Sequence, residues 1–258
     1  MNTIFLALSL LFLPTQPQEE APDAKIVETT LDELAAALKQ KEMPAKLNAI
    51  ERASRVVDSK IIKAISRTLK LKDYELQRAG IEALRRMRHP DALKQLESAV
   101  ARNKDMRKNP ETFAALLRGI GQHANPKSIE LLKRDIFAVK DRGAVNARLM
   151  ALANIRHKDS VEALMGIMKS GARNKVAPYM DDFCLALMVL TGKDQGKSQE
   201  QWLSWWNDNK KTLVVSDRQG LLPEAMQRRW DSFWGNPRKY ERSKKRGKRG
   251  QDPENDSQ

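Results

Sequence analysis

Three histidines, His89, His123 and His157, are the residues of this chain whose type is most often used for catalysis or metal binding. Each lies 34 residues after the previous one. The surrounding sequence repeats too, because Glu82–Asp91 aligns with Met150–Asp159 at a shift of 68 residues and keeps Ala, Leu, an Arg-His pair and Asp. A fixed period between 20 and 50 residues is typical of stacked-repeat proteins.

The even spacing of the histidines argues against a metal site. Equivalent positions in successive helical repeats lie about 10 Å apart, which is the distance between packed helices. Zinc ligands must lie about 2 Å from one ion, so a row of histidines cannot converge on it. We expect the histidines to close helix ends, near the carbonyl groups and the negative dipole of a helix carboxyl end.

The other candidate reactive residues also have structural explanations. Cys184 lies in an apolar segment with no histidine within twenty residues, so we expect a buried, inert thiol. Asp181 and Asp182 are adjacent and do not share a helix face, so we expect them to complement the start of their helix. No nucleophile–base pattern, phosphate loop or metal-ligand spacing is found. The sequence therefore predicts no catalytic, metal or cofactor site, and a protein that is not an enzyme.

Helical periodicity runs through the middle of the chain. Leu31, Leu34, Ala35 and Leu38 share one helix face, and Thr30 with Glu33 forms a capping box. Only 5% of the residues are aromatic, which favours helices over strands, and Leu213–Val215 is the only short strand candidate. We predict five helix pairs, at about Leu31–Leu38 and Leu47–Val57, Ser59–Leu71 and Asp73–Arg88, Pro90–Arg102 and Pro110–His123, Pro126–Val139 and Ala144–Arg156, Ser160–Lys169 and Ala177–Thr191.

Local signals support these helix boundaries. Asp73 and Asn125 are candidate N-caps. Pro90, Pro110 and Pro126 stand where first-turn prolines are favoured, because that position has no helical hydrogen bond to lose. Small residues at Ala79, Gly80 and Ala83 let helices approach closely.

All five tryptophans lie near the carboxyl end of the chain. Ser198–Gln201 forms a capping box, after which Trp202, Trp205 and Trp206 form one helical stripe. A second helix after Pro223 aligns Met226, Trp230, Phe233 and Trp234. Two interpretations stay open: large rings that cover the apolar end of the last repeat, or an aromatic surface that binds a ligand or peptide.

The net charge of +14 is partly concentrated in the tail. Arg238–Gly250 has eight basic residues and one acid. This tail is too charged to fold alone, and it is either a solubilising end or a site that binds polyanions by displacing their counterions. The candidate basic residues are Arg238, Lys239, Arg242, Lys244, Lys245, Arg246, Lys248 and Arg249.

An apolar run, Ile4–Leu13, lies at the amino terminus. It is too short to span a bilayer but matches the core of a secretory signal. We predict a signal peptide over residues 1–18, a linker over 19–27, and export to the periplasm or the extracellular space, with a membrane tether if the signal stays uncleaved. The chain has one cysteine, so no internal disulfide is available.

Two resemblances to known families follow from these motifs. Lys72–Leu96 resembles a HEAT repeat, with Asp73, Arg78-Ala79, Ala83-Leu84 and Pro90-Asp91 at the landmarks of that pattern. The resemblance covers about 31–191 and implies an all-α fold, a right-handed α-solenoid of about five helix pairs. Leu190–Gly196, followed by Trp202, Trp205 and Trp206, resembles the closing segment of exported bacterial HEAT-repeat proteins, which implies export.

The predicted organisation is HEAT-like repeats over 28–192, Trp-rich capping helices over 193–235 and a disordered basic tail over 236–258. The predicted function is that of an exported, monomeric scaffold that binds a protein partner of unknown identity through its repeats. The alternative is a module that binds nucleic acid, anionic polysaccharide or anionic lipid through the tail. HEAT-type repeats usually present a surface rather than perform a reaction.

Overall fold

The computed structural model describes residues 22–138 and 141–235. The chain divides into two compact units, Met1–Gly220 and Leu221–Gln258. All regular secondary structure in the described residues is helical, and Leu213–Val215 forms no strand. The prediction of an all-α fold is confirmed.

The helices of the first unit are separated by short turns, several of which contain 3-10 segments. Such segments occupy Arg67–Lys70, Met106–Lys108, Pro126–Ser128, Ile136–Ala138 and Ala177–Tyr179. The helices are α1 Ala24–Lys39, α2 Met43–Ala53, α3 Ser59–Ser66, α4 Tyr74–Arg86, α5 Pro90–Arg102, α6 Pro110–Gln122, α7 Ile129–Lys133, α8 Arg142–Asn154, α9 Lys158–Ser170, α10 Arg173–Val176, α11 Met180–Thr191 and α12 Gln199–Asn209. In the second unit, α13 is Glu224–Trp234.

Most predicted helix starts are confirmed. The Asp73 carboxylate accepts hydrogen bonds from the Glu75 and Leu76 N–H groups, and Asn125 caps the next pair by accepting from Lys127. Pro90, Pro110 and Pro126 each lie in a first helical turn.

The capping box predicted at Thr30 is wrong. Helix α1 begins at Ala24, inside the segment predicted as linker, and its N-cap is Asp23. Thr30 is already helical, and its hydroxyl donates to the Ile26 carbonyl one turn earlier. The apolar stripe did not predict the first turn of α1, because most residues of that turn are exposed.

Helices α1 to α9 and α11 pack in pairs, and the second helices of these pairs form a continuous row. Within pairs, α1 contacts α2, α3 contacts α4, α5 contacts α6, α7 contacts α8, and α9 contacts α11. The second helices of the pairs contact one another in chain order, from α2 through α4, α6 and α8 to α11. We call these five the second-helix row. Among the first helices, α1 contacts α3, α3 contacts α5, α7 contacts α9, and α9 contacts α12.

The centre of the core lies in the later part of this row. Every residue from Ala147 to Ala153 in α8 is buried, as is every residue from Asp182 to Leu190 in α11. A helix that is apolar on all sides is stable only when neighbours cover it on all sides. The apolar composition of α8 and α11 therefore requires the helices packed against them.

Side chains also join neighbouring helices at their carboxyl ends, where the last carbonyls have no partner within the helix. His123 Nε2 donates to the Leu84 carbonyl at 3.1 Å, which joins α6 to α4. Asn154 Nδ2 donates to the Gly121 carbonyl at 2.9 Å, which joins α8 to α6. Arg156 Nη1 donates to the Val189 carbonyl at 3.0 Å, which joins the end of α8 to α11. Each bond ties one helix to the last turn of its neighbour, and the Gly121 carbonyl also accepts from the Ala124 N–H.

The continuous helix predicted over Pro126–Val139 is wrong. Helix α7 ends at Lys133, and Asp135 has a positive φ of 49°, which a helix cannot include. The buried guanidinium of Arg148 in α8 donates to the Leu132 and Arg134 carbonyls at this break. Arg148 therefore caps the carboxyl end of α7 from the next helix, a tertiary contact that local periodicity does not indicate.

Gly80 allows α4 to approach the segment before it. A Cβ at position 80 would overlap the Thr68 Oγ1 atom, and Thr68 is fully buried. We expect Gly80→Ala to lower the free energy of unfolding by about 1–3 kcal/mol through overpacking. Gly166 in α9 is the control, because a Cβ there meets no atom within 4 Å; Gly166→Ala should raise stability by about 0.5–1 kcal/mol. Urea unfolding monitored by circular dichroism measures both, and equal effects would contradict the close-approach explanation.

Candidate functional site

The three histidines lie at helix ends, but two of them have the opposite role from the one expected. His89 and His157 are the N-caps of α5 and α9, where Nδ1 accepts hydrogen bonds from the Asp91 and Asp159 N–H groups at 3.1 and 3.2 Å. These rings lie at helix amino ends and accept from N–H groups, rather than lying at a helix carboxyl end. His123 fits the expectation, because it follows the last residue of α6 and donates to a carbonyl.

The even spacing of the histidines does not mark equivalent positions. The capping residues of the first helices are Asp58, His89, Asn125 and His157, separated by 31, 36 and 32 residues. His123 lies two residues before the equivalent position, so its 34-residue spacing is coincidental. Within residues 22–138 and 141–235, no three His, Cys, Asp or Glu side chains are grouped closely enough to hold a metal ion.

The Gly196 carbonyl connects two of the residues singled out from the sequence. The Trp202 indole N–H donates to it at 2.9 Å, and the Cys184 thiol donates to it at 3.1 Å. Cys184 is 1% exposed, and burial raises the pKa of its thiol. A buried, protonated thiol is a poor nucleophile, so Cys184 packs as a small apolar residue, as predicted.

The turn that resembles exported HEAT-repeat proteins has a structural explanation for its motif. Gly192 ends α11 in the left-handed region at φ 67°, and the Thr191 hydroxyl accepts from the Lys193 N–H. The Asp194 carboxylate accepts from the Gly196 N–H at 2.8 Å, and Gly196 has φ 72°. These residues form a turn that presents the Gly196 carbonyl to Trp202.

The acid pair at the start of α11 is engaged by neighbours. Lys197 pairs with Asp181 at 2.8 Å, and the Asn146 amide donates to the buried Asp182 carboxylate at 2.7 Å. Both acids lie in the first turn of α11, where a negative charge is favoured by the helix dipole, as predicted.

The tryptophan stripe of α12 is only partly buried. Trp202 is fully buried, whereas Trp205 and Trp206 are half-buried. The Trp202 and Trp205 rings meet edge to face with centroids 5.7 Å apart, and α12 contacts α9. Burial of Trp202 is what a covering helix requires, while the two half-buried rings present apolar surface to solvent.

Helix α13 has its own aromatic group. The Trp230 and Trp234 rings lie 5.5 Å apart, and Phe233 and Trp234 lie 4.9 Å apart, both edge to face. Gln227 Nε2 donates to the Asp231 carboxylate one turn later. The predicted capping segment 193–235 spans both compact units. The basic candidates Arg238, Lys239, Arg242, Lys244, Lys245, Arg246, Lys248 and Arg249 lie outside the described residues, as does the predicted signal segment.

The exposed side of the second-helix row carries paired charges that the sequence analysis did not single out. Arg78 on α4 pairs with Glu111 on α6 at 3.0 Å. Glu82 on α4 accepts from Arg85 at 2.7 Å and from Arg118 on α6 at 3.0 Å. Burial lowers the pKa of the Arg85 guanidinium, and the negative charge of Glu82 opposes this shift. The sequence signal for these pairs is the spacing of the oppositely charged residues, 33 and 36 positions apart, which is close to the 34-residue period.

A groove between α2 and α4 opens on the same row. Its volume is about 380 Å³. Ile50 and Ala83 are buried in its floor, Leu47 and Ala79 are half-buried, and charged side chains stand at its rim. The rim residues are Glu51, Glu75, Arg78, Glu82 and Arg86. We call this cavity the α2/α4 groove.

Comparisons with known proteins add no assignment: no protein-family model matches the chain, and no curated protein matches it significantly. In the part of the chain that the structure describes, no helix combines the length and apolar character needed to cross a membrane.

His123 makes stability depend on pH. Its ring is mostly buried, and burial, assisted by Arg88, lowers its pKa below the usual value of 6.5. Neutral His123 therefore contributes stability that is complete above about pH 6.5 and is lost as the pH falls through the lower folded pKa. His123→Gln keeps a donor for Leu84 but does not titrate. Between pH 8 and pH 5, we expect the free energy of unfolding to fall more in the wild type than in the variant; parallel profiles would contradict this prediction.

The Trp202 indole provides a second prediction. Trp202→Phe retains most of the ring but removes the N–H donor to Gly196, which should cost about 1–2 kcal/mol of unfolding free energy. Trp206→Phe is the control, because Trp206 is half-buried, and it should change stability by less than half as much. Thermal unfolding of both variants measures the difference, and an equal loss would show that the Gly196 bond contributes little.

Proposed function

We propose that this protein is an exported, non-enzymatic HEAT-type scaffold whose helix pairs form a right-handed α-solenoid of about five repeats. It binds a protein partner on the exposed side of the second-helix row. The observation that carries the proposal is the α2/α4 groove, which combines an apolar floor with a charged rim on a row of helices packed in chain order. A surface of this kind accepts an apolar anchor residue and orients it by polar contacts at the edge.

The electrostatics of the row support a protein partner. The Arg78–Glu111 pair and the Glu82, Arg85 and Arg118 cluster place both signs of charge along α4 and α6. A row that was only basic would favour nucleic acid, whereas mixed charges select partners by complementarity. Arg78 and Glu82 at the rim of the groove are already paired with residues of α6, so less of their conformational entropy is lost on binding.

Structural explanations for the sequence motifs support a role in binding rather than catalysis. The histidines cap helices, the thiol is buried, and the Gly196 turn positions Trp202. The export part of the proposal rests on the apolar Ile4–Leu13 run and on the resemblance of the Leu190–Gly196 turn. In this proposal α12, which contacts α9, covers the end of the repeats.

A second candidate function is polyanion binding through the tail. The basic run Arg238–Gly250 favours it, with eight cations against one acid. Binding through such a run falls steeply with salt, because it is driven by counterion release.

Capture of partners from a native envelope extract tests the proposal. Ala79→Gln places a polar side chain in the α2/α4 groove, and Lys94→Gln on α5 is the matched control, because Lys94 is exposed and lies outside the groove. We expect the wild type and the control to retain one discrete protein at high salt, and Ala79→Gln to lose it at least about tenfold, the effect of about 1.4 kcal/mol.

Thermal unfolding verifies that Ala79→Gln remains folded. Retention of the same partner by the groove variant would contradict the proposed surface. Heterogeneous capture that high salt abolishes, and that removal of residues 236–258 abolishes as well, would instead establish polyanion binding by the tail.

A further inference from the structure

A basic cleft lies on the row of first helices, away from the α2/α4 groove. It opens between the end of α3 with its following 3-10 turn and the carboxyl end of α5, and its volume is about 430 Å³. The lining residues are Ser66, Leu69, Lys70, Gln95, Ser98, Ala99, Arg102, Asn103, Lys104 and Asp105. We propose that this cleft, the α3/α5 cleft, binds the phosphate or sulfate group of a small monoester.

The cations of the cleft have no partner in the part of the chain that the structure describes. Lys70, Arg102 and Lys104 are exposed at the rim, and none forms an ion pair with a described residue. The single acid, Asp105, is neutralised by Lys108 at 2.6 Å. The hydrogen bond from Lys108 holds the pKa of that carboxyl below its usual value. The cleft thus offers three positive charges to an anion.

Helix ends alone do not explain this charge. Cations are favoured near carboxyl ends by the helix dipole, which accounts for Lys70 and Arg102, but Lys104 lies in the loop beyond α5. The comparable cavity between α7 and α9 is lined by three cations and four acids, and there Lys133 pairs with Glu130. The α2/α4 groove has two cations and three acids. Of these three cavities, the α3/α5 cleft alone has more cations than acids, and its excess of two exceeds the excess of one in a cavity near Gly171, which is lined by Lys133, Lys175 and Asp135.

The walls of the cleft are held together by Asn103. Its amide donates to the Leu69 carbonyl at 2.7 Å, and its side-chain oxygen accepts from the Met106 N–H at 3.0 Å. These bonds tie the loop that carries Lys104 to the segment that carries Lys70. The backbone segments that carry the cations are therefore held together before a ligand binds, so that binding has to order only the side chains.

The composition of the cleft indicates a small ester rather than a bare ion. Half-buried Gln95 and Ser98 supply hydrogen-bonding groups, and buried Leu69 and Ala99 supply an apolar wall. The volume is within the range of pockets for small ligands. The phosphate or sulfate group of a monoester has three terminal oxygens, enough for a charged hydrogen bond from each of the three cations. This inference does not depend on the proposed protein partner.

Calorimetric titration of the full chain tests the site with glucose 6-phosphate, glucose 6-sulfate, inorganic phosphate and glucose. We expect saturable one-to-one binding of at least one ester, no binding of glucose, and weakening at higher salt. The double variant Arg102→Gln/Lys104→Gln removes two charged hydrogen bonds and should weaken binding more than about tenfold. Lys94→Gln, an exposed lysine of the same helix outside the cleft, is the matched control and should bind as the wild type does.

The outcomes separate the sources of the ligand group. Preference for one ester identifies phosphate or sulfate. Inorganic phosphate that binds as tightly as the ester would contradict the inference of an ester site, because the apolar wall and the polar groups would then contribute nothing. No saturable binding of any anion would overturn the inference. Binding that the double variant leaves unchanged would also overturn it, since the anion would then be held by other cations of the chain, such as those of the tail.

Discussion

The fold depends on how the unsatisfied carbonyls at helix carboxyl ends are satisfied. In the second-helix row the donor comes from the neighbouring pair: His123 serves α4, Asn154 serves α6, and Arg156 serves α11. An unpaired buried carbonyl costs more than its hydrogen bond contributes, so the Leu84 and Val189 carbonyls favour the axial positions in which they are paired, whereas the Gly121 carbonyl also accepts from the Ala124 N–H. The close approach at Gly80 and the burial of α8 and α11 require that alignment. The charge pairs that cross from α4 to α6 require it as well.

Much of the fold was predictable because local chemistry determines it. Asp73, Asn125 and Ser198 cap the helices they were expected to cap, and three prolines mark first turns. The exceptions are tertiary in origin. Helix α7 ends early because Arg148, sixteen residues after Leu132, takes its carbonyls. His89 is the N-cap of a first helix, whereas His123 lies two residues before the equivalent N-cap, Asn125. The equal 34-residue spacing does not show this difference.

The candidate surfaces were less predictable than the fold. The clustered tryptophans and the basic run are the most distinctive features of the sequence, yet Trp202 is fully buried and the basic run lies outside the described residues. The α2/α4 groove and the α3/α5 cleft are made of ordinary residues such as Ala79, Ser98 and Lys104. Their significance arises from pairs of elements about 30 residues apart in sequence, which no single motif contains.

The differing donors at the junctions also constrain how such a chain can evolve. An imidazole, an amide and a guanidinium have different lengths and numbers of donors, and Arg156 additionally holds the Ser216 and Arg218 carbonyls of the loop after α12. A helix pair that was duplicated or exchanged would carry a donor that does not match its new neighbour. The pairs of this protein are therefore not interchangeable units, because each junction depends on the donor that its own neighbour supplies.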